Sequence, residues 1–206
     1  TNDILRVDAK DVRAKVIAEG ANLGVTQAGR IEFARKGGRI NTDAIDNSAG
    51  VDSSDHEVNI KILTAEAIHE GALKAGDRNA LLASMTDDVG HLVLENNYDQ
   101  TAALSVMQAT APADLDSHEG LIETLETQGK LDRVVEGLPS TEAFRKLREQ
   151  HLGLTRPELA VIMAYAKLDF FSSLIASKAP DDPAFEPLLV GYFPDELEKF
   201  GEARKR

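Results

Sequence analysis

The sequence contains no cysteine and no tryptophan. Without cysteine it forms neither a disulfide nor a thiolate metal site, which fits a reducing compartment, and we expect a cytoplasmic protein. It also lacks an apolar run of the roughly 18 to 20 residues that span a bilayer, and its first ten residues lack the layout of a signal peptide, so we expect no membrane partner. The chain has 206 residues, 42% of them hydrophobic, which suffices for one or two ordinary cores.

Basic residues are scarce beside acidic ones. The chain has 23 Lys and Arg against 35 Asp and Glu, a net charge of −12. Because this charge repels phosphate backbones, we expect no nucleic-acid partner. The imbalance is uneven, with a net charge of −1 over residues 1–61 and −11 over residues 62–206. The contrast indicates two regions with different roles.

The first region is typical of a strand, a helix and a second strand. Residues 14–18 form a short apolar run that ends at Glu19-Gly20, and a second run starts at Gly37-Gly38. Residues 26–36 between them have helix-forming character, and Gly37 stands where a helix C-cap is expected. This order predicts one βαβ unit of a parallel sheet, whose ligand crevice lies at the carboxyl ends of the strands. Two short strands need further strands to make a stable sheet.

From Ser54 onward the sequence predicts helix after helix. The capping-box pattern Ser54-x-x-Glu57 predicts a helix from Ser54 to Gly71, with these apolar residues on one side: Val58, Ile62 and Ala65. Further helices are predicted over 78–97, 99–110, 117–128 and 140–151. A second capping box, Thr155-Arg156-Pro157-Glu158, predicts a last helix. Its broad buried face is expected to contain Leu159, Ile162, Met163, Ala166, Phe170 and Leu174.

Two local patterns imitate ligand sites. Residues 24–31, GVTQAGRI, resemble the phosphate loop GxxxxGK[ST], but arginine and isoleucine replace its lysine and hydroxyl residue, so we reject it. No GxGxxG occurs, so a nucleotide role requires another segment.

In residues 52–57, Asp52 and His56 stand four apart, as metal ligands can. A divalent site needs three or more convergent ligands, whereas capping and the helix dipole explain acidic residues in a first helical turn, so we expect no metal site.

The loops that follow the two predicted strands are the candidate binding elements. Residues 19–24 contain Asn22, and residues 43–50 contain Asn47. An asparagine side chain offers two donors and an acceptor, which suit an amide or ribose hydroxyls, while glycine and alanine let a flat ring approach the backbone. Each asparagine can equally well close its own turn, the commoner role. The residues alone leave both interpretations open.

Residues 14–63 closely resemble the latter part of the nicotinamide-binding domain of glutamate dehydrogenases, specifically the very large bacterial NAD-specific type. Widely distributed members carry an EGAN loop followed by a PD…NAGGV…S segment. Here these read EGAN at 19–22 and TD…NSAGV…S at 42–54. The threonine for proline and the Ser-Ala for Ala-Gly are usual in the large type. LTRPELAVIMAYAK at 154–167 and Tyr192-Phe193-Pro194 resemble that type's C-terminal helical region.

The resemblance implies an α/β fold class. Residues 1–53 would be the C-terminal part of a Rossmann-like NAD-binding domain with short parallel strands, and residues 54–206 a mainly α-helical C-terminal domain. The implied reaction is the oxidative deamination of L-glutamate to 2-oxoglutarate and ammonium, with hydride transfer to NAD. The full-length enzyme is expected to be a homo-oligomer.

The resemblance also implies roles for single residues. Asn22 and the backbone of Gly20 and Ala21 would contact the ribose region of NAD, and Asn47 would hold the nicotinamide carboxamide. Ser54 would bind the side-chain carboxylate of glutamate. Because a hydroxyl has one proton and two lone pairs, it can cap a helix and bind substrate together. We therefore expect Ser54 at a helix start, near Asn47.

In that family the catalytic lysines and aspartate, and the glycine-rich pyrophosphate loop, lie upstream of the EGAN loop. Only 18 residues precede the loop here. We therefore expect a C-terminal fragment that carries no catalytic residue and is inactive alone. The alternative is an acidic helical interaction or regulatory module without catalysis, and a long upstream segment with a glycine-rich turn favours the enzyme.

Overall fold

A computed structural model describes Ile4 and residues 6–200. Of these described residues, 68% are helical. Two short strands occur among them, β1 (Val16–Ile17) and β2 (Arg39–Ile40). The α-helices are α1 (Gln27–Arg35), α2 (Asp43–Asp46), α3 (Ser48–His69), α4 (Arg78–Ser84), α5 (Thr86–Thr110), α6 (Leu115–Thr127), α7 (Thr141–Glu149), α8 (Arg156–Ile175) and α9 (Glu186–Gly191). Short 3-10 helices occupy Ala9–Asp11, Ala75–Asp77, Ala179–Asp181, Pro183–Phe185 and Asp195–Phe200.

The strand, helix and strand of the first region are confirmed. β1 and β2 are parallel, with Val16 opposite Arg39. Thr26 caps α1 by accepting a 3.1 Å hydrogen bond from the backbone N–H of Gly29, and Gly37 ends it at a φ of +86°, a conformation that favours glycine. Each strand has only two residues, so the Rossmann-like fold stays a prediction.

The predicted start of the long helix at Ser54 is wrong. Most of the expected loop over residues 43–50 is helical, because α2 occupies Asp43–Asp46 and α3 begins at Ser48. Ser54 therefore lies in the second turn of α3, where it cannot act as an N-cap. The neighbouring Ser53 hydroxyl donates to the carbonyl oxygen of Ala49 at 2.6 Å, as serine does inside helices.

The apolar side predicted for α3 is exposed in the structure. Val58 is 51% exposed and Ile62 is 63% exposed. The opposite side is buried and consists of His56, Ile60, Leu63, Thr64 and Ala67. α3 thus has apolar residues on two sides. The periodicity of the sequence identified the exposed side and did not show which side is buried.

The predicted helices 78–97 and 99–110 divide at a different residue. The break lies at Met85, between α4 and α5, and α5 continues to Thr110. Asn97 does not interrupt α5, because its side-chain amide donates to the carbonyl oxygen of Val93 one turn earlier, at 2.7 Å. Met85, which separates α4 from α5, buries its side chain and is only 1% exposed. The predicted helices over 117–128 and 140–151 are confirmed as α6 and α7 within about two residues at each end.

α8 begins at Arg156, as the second capping box predicts. The Glu158 carboxylate accepts from the backbone N–H of Thr155 at 2.6 Å and from its hydroxyl at 2.5 Å. Leu159 and Ile162 are fully buried. The predicted buried face does not extend along the whole helix, since Phe170 is 65% exposed.

The chain forms two compact units. Among the described residues, those up to residue 47 and residues 99–172 form the first, and residues 48–98 and 173–200 the second. The core of the first contains Ile45, Leu104, Ala111, Leu115, Ile122, Leu125, Leu131, Leu138, Phe144, Leu147, Leu154, Leu159, Ala160 and Ile162. The core of the second contains Ile60, Leu63, Ala67, Met85, Leu197 and Phe200. The expected boundary between residues 53 and 54 concerns the family's domains and stays a prediction. Within the described part of the chain, no helix is long and apolar enough to cross a bilayer.

Candidate functional site

The loop that joins β1 to α1 is fastened by a buried ion pair. Glu19, which opens this loop, is 5% exposed, whereas residues 20–24 are exposed. Its carboxylate accepts from Nε of Arg30 at 2.6 Å and from the terminal nitrogen of the same guanidinium at 2.9 Å. It also accepts from the backbone N–H of Val25 at 3.0 Å. The far end of the loop is therefore bound to its beginning.

Asp43, at the start of α2, ties the second candidate loop to the same ion pair. It lies 3.2 Å from the Arg30 guanidinium and accepts from the backbone N–H of Leu23 at 2.8 Å. This backbone hydrogen bond and the positive charge of Arg30 lower the pKa of Asp43 against the opposing effect of burial. The Glu19 carboxylate raises the pKa of Arg30. Asp43 and Arg30 are thus held in their charged forms at neutral pH.

Leu23 has an unusual backbone conformation. Its φ is +60°, in the left-handed region that side chains other than those of glycine and asparagine rarely adopt, and its side chain is 87% exposed. Because the Leu23 side chain is exposed, its packing does not offset the cost of this backbone conformation. The hydrogen bond from its N–H to Asp43 holds it instead, so an acidic residue of the second loop sets the shape of the first.

The two candidate asparagines are in direct contact. The side-chain amide of Asn47 donates to the side-chain oxygen of Asn22 at 3.0 Å, at an exposed position. Among the described residues, no further hydrogen bond involves the Asn22 amide group or the Asn47 side-chain oxygen. Gly20 adjoins open space, since a Cβ there would meet no atom within 4 Å. The arrangement presents a free donor, a free acceptor and an uncovered backbone together.

Asp46, which directly precedes Asn47, makes a further link between the loops. Its carboxylate accepts from the backbone N–H of Glu19 at 2.8 Å and from the side-chain amide of Asn41 at 2.7 Å. Both carboxylate oxygens therefore have a donor, and the starts of both loops are joined by hydrogen bonds.

Ser54 lies on the exposed surface of α3, and no side chain of the described part of the chain bonds to its hydroxyl. The adjacent Asp55 accepts from the hydroxyl of Tyr192 at 2.7 Å. Burial, and next this hydrogen bond, raise the pKa of Tyr192 to about 12. The expected proximity of Ser54 to Asn47 stays a prediction.

The Asp52 and His56 pair lies inside α3, so first-turn electrostatics does not explain it. The two side chains approach to 3.8 Å, and His56 is buried against the ring of Tyr192, with ring centroids 4.5 Å apart. Asp52 also accepts from the side chain of Asn96 at 3.0 Å. Over residues 6–200, no group of three or more histidine, aspartate or glutamate residues is placed to hold a metal ion.

Sequence reasoning found Asn22 and Asn47 but missed the charges that position them. In the sequence, Arg30 belongs only to the rejected phosphate-loop pattern, which does not indicate its partners. Its partners Glu19 and Asp43 are 11 and 13 residues away. No local periodicity relates residues at such spacings, so only the strand and helix geometry reveals the contact.

The sequence matches two family models. One is described as bacterial NAD-glutamate dehydrogenase, catalytic domain, and matches residues 1–107. The other is described as glutamate dehydrogenase, C-terminal, and matches residues 151–206. Together they cover all three segments on which the resemblance depends.

Similar full-length proteins share about half of their aligned residues with this chain. The NAD-specific glutamate dehydrogenase of Pseudomonas aeruginosa is 50% identical over 206 residues, which are 100% of this chain and 13% of that protein. The enzymes of the same name from Mycobacterium tuberculosis and Halomonas elongata are 49% and 46% identical over 196 residues, 95% of this chain and 12% of each protein. The chain thus spans about an eighth of the relatives' length.

We expect Arg30→Met to lower the free energy of unfolding by about 3 to 5 kcal/mol, because it leaves Glu19 buried without its opposite charge. Urea denaturation followed by far-ultraviolet circular dichroism measures the change. Arg145→Met is the matched control, since Arg145 pairs with Glu142 and Glu149 at positions that are more than half exposed, and it should have little effect.

The double variant Glu19→Gln/Arg30→Met should be more stable than Arg30→Met alone, because it removes the unpaired charge. If Arg30→Met destabilises the protein no more than Arg145→Met, the buried pair does not fasten the loop.

Proposed function

Because the chain belongs to the family of bacterial NAD-dependent glutamate dehydrogenases, we propose that it forms part of the cofactor and substrate site of such an enzyme. The reaction is the oxidation of L-glutamate to 2-oxoglutarate and ammonium. The contact between Asn22 and Asn47 carries the proposal. It joins the loops that follow two parallel strands, and ligands of open α/β sheets bind beyond the carboxyl ends of their strands.

The polar groups of this contact suit NAD. The free carbonyl oxygen of Asn47 is an acceptor for the amide hydrogens of the nicotinamide carboxamide, and the free amide of Asn22 is a donor to ribose hydroxyls. The backbone at Gly20 and Ala21 is exposed, so a sugar can approach it closely. When bound, NAD accepts the hydride from the α-carbon of glutamate. These residues orient the cofactor and do not take part in proton transfer.

The rest of the site lies outside these residues in our proposal. The pyrophosphate-binding turn and the catalytic groups would come from elsewhere in a longer enzyme, which agrees with the much greater length of the relatives. Residues 1–53 would complete a Rossmann-like domain, and residues 54–206 a helical domain beside it. We further propose a cytoplasmic homo-oligomer. Exposed apolar side chains on α8, such as Phe170 and Phe171, favour further packing.

An activity assay tests this function directly. The full-length protein that contains this chain, incubated with glutamate and NAD, should reduce the cofactor, as followed by absorbance. The 206-residue polypeptide alone should not, because we expect the catalytic groups and the pyrophosphate-binding turn in another segment of the enzyme. Turnover by the polypeptide alone would show that the catalytic groups are misplaced. A full-length protein without turnover would favour the regulatory module.

In the full-length enzyme, Asn47→Ala should raise the Michaelis constant for NAD by an amount equivalent to about 1 to 3 kcal/mol, the usual cost of an unpaired polar group. Stability should change little, since the bond to Asn22 is exposed. Steady-state kinetics measures the effect, and Asn96→Ala, which removes another exposed amide bond, is the control. An unstable Asn47→Ala enzyme with an unchanged constant for NAD would show that Asn47 only closes its turn.

Ser54→Ala should raise the Michaelis constant for glutamate more than that for NAD, because the hydroxyl would donate to the substrate carboxylate. It should not destabilise α3, since alanine is the better helix former by about 0.5 kcal/mol at an exposed interior position. Ser53→Ala is the control, because the Ser53 hydroxyl bonds only to its own helix. Equal glutamate constants for the wild type and Ser54→Ala would exclude the substrate role.

A further inference from the structure

A row of hydrogen bonds runs from the first turn of α8 to the start of the loop at Glu19. Nε of Arg156 donates to the side-chain oxygen of Asn41 at 2.5 Å. The amide nitrogen of Asn41 donates to Asp46 at 2.7 Å, and Asp46 accepts from the backbone N–H of Glu19 at 2.8 Å. The row connects residues 115 apart in sequence.

Hydrogen bonds to α5 fix the side chain of Arg156 at its end of the row. Its terminal nitrogens donate to the hydroxyl of Ser105 at 3.0 Å and to the carbonyl oxygen of Thr101 at 3.0 Å, both on α5. Among the described residues these partners are all neutral, and no carboxylate bonds to the guanidinium. Burial lowers the pKa of Arg156, and the charge of Asp46 partly offsets this. Asp46 is therefore the anion that balances Arg156, through Asn41.

Arg156 fixes which way the Asn41 amide points. The guanidinium only donates, so it requires the oxygen of Asn41, and the charged carboxylate of Asp46 only accepts, so it requires the nitrogen. One orientation of the amide satisfies both. Without Arg156 the amide can turn, and it then places its oxygen against the carboxylate of Asp46, which is unfavourable.

Asp46 transmits this orientation to both candidate loops. Its second oxygen binds the N–H of Glu19, the residue before Gly20, Ala21 and Asn22. Asp46 itself directly precedes Asn47 in sequence. A displaced carboxylate therefore loosens the loop start at Glu19 and moves the backbone that carries Asn47.

We propose that Arg156 is a positioning residue for the cofactor loops, acting through Asn41 and Asp46 without touching the cofactor. The inference rests on the proposed function. It gives the first turn of α8 a defined role in a site more than one hundred residues away in sequence.

The test is made by steady-state kinetics on the full-length enzyme. Arg156→Ala should raise the Michaelis constant for NAD roughly five- to tenfold, the size expected for one lost charge-assisted hydrogen bond. The turnover number at saturating NAD and glutamate should stay within about twofold, since the loops bind the cofactor and perform no proton transfer. Arg35→Ala is the matched control, because Arg35 bonds to Gly153 and Glu158 and not to Asn41.

Chemical rescue distinguishes positioning from general destabilisation. Arg156 lines an open groove of about 790 Å³ together with Asn41, Thr101 and Ser105. In Arg156→Ala, free guanidinium at millimolar concentration can enter this groove and restore the donor to Asn41. The Michaelis constant for NAD should then fall towards the wild-type value, while Arg35→Ala should not respond.

A second variant keeps the test decisive if Arg156→Ala does not fold. Asn41→Asp retains an acceptor for Arg156, and so preserves the packing of α8, but it opposes a second carboxylate to Asp46. It should raise the Michaelis constant for NAD to a similar extent. If Asn41 and Asp46 do not transmit the position of Arg156 to the loops, this variant leaves the constant unchanged.

The outcomes separate this inference from the proposed function. A wild-type enzyme without glutamate-dependent reduction of NAD contradicts both. An active wild type contradicts only the positioning role if the NAD constant is unchanged in Arg156→Ala or Asn41→Asp, or if guanidinium gives no rescue. Equal effects of Arg156→Ala and Arg35→Ala on that constant also overturn it.

Discussion

The buried ion pair of Glu19 and Arg30 is the interaction on which the candidate site depends. Both side chains are less than 10% exposed, so each charge is stable there only because the other is present. The bidentate geometry requires α1 to lie close to the carboxyl end of β1. The loop between them has little freedom left, and its exposed tip carries Gly20, Ala21 and Asn22. The burial of two charges thus positions neutral groups that are free to bind a ligand.

Three carboxylates surround this loop, and the structure gives each its own donors. Arg30 serves Glu19 and Asp43, while Asp46 has the backbone N–H of Glu19 and the amide of Asn41. Without these donors the carboxylates would repel one another, and in the proposed enzyme they would do so close to a cofactor that is itself anionic at its pyrophosphate. Each carboxylate thus has hydrogen-bond donors within the loops, which in the proposed enzyme would favour binding of a dinucleotide by an acidic protein.

Short sequence patterns correctly predicted the secondary-structure elements that depend on neighbouring residues. The apolar runs, the cap at Thr26 and the turn at Gly37 gave the strand, helix and strand order, and the Thr155 capping box gave the start of α8. The Ser54 capping box failed because the same residue types also occur inside helices, where their hydroxyls bond to the preceding turn. The contacts of Arg30 with Glu19 and of Arg156 with Asn41 have no local signal, since tertiary packing alone brings these residues together.

α3 shows why an apolar pattern does not identify what covers it. Its buried side packs Ile60 and Leu63 into the second unit, yet Val51 and Val58 on the other side are 74% and 51% exposed. At 100° per residue, Ser54 lies within about one sixth of a turn of Val51, on the exposed side. In the proposed enzyme this side would carry the substrate-binding hydroxyl. The residues that cover its apolar neighbours would then also exclude water from the glutamate carboxylate, which strengthens the hydrogen bond from Ser54.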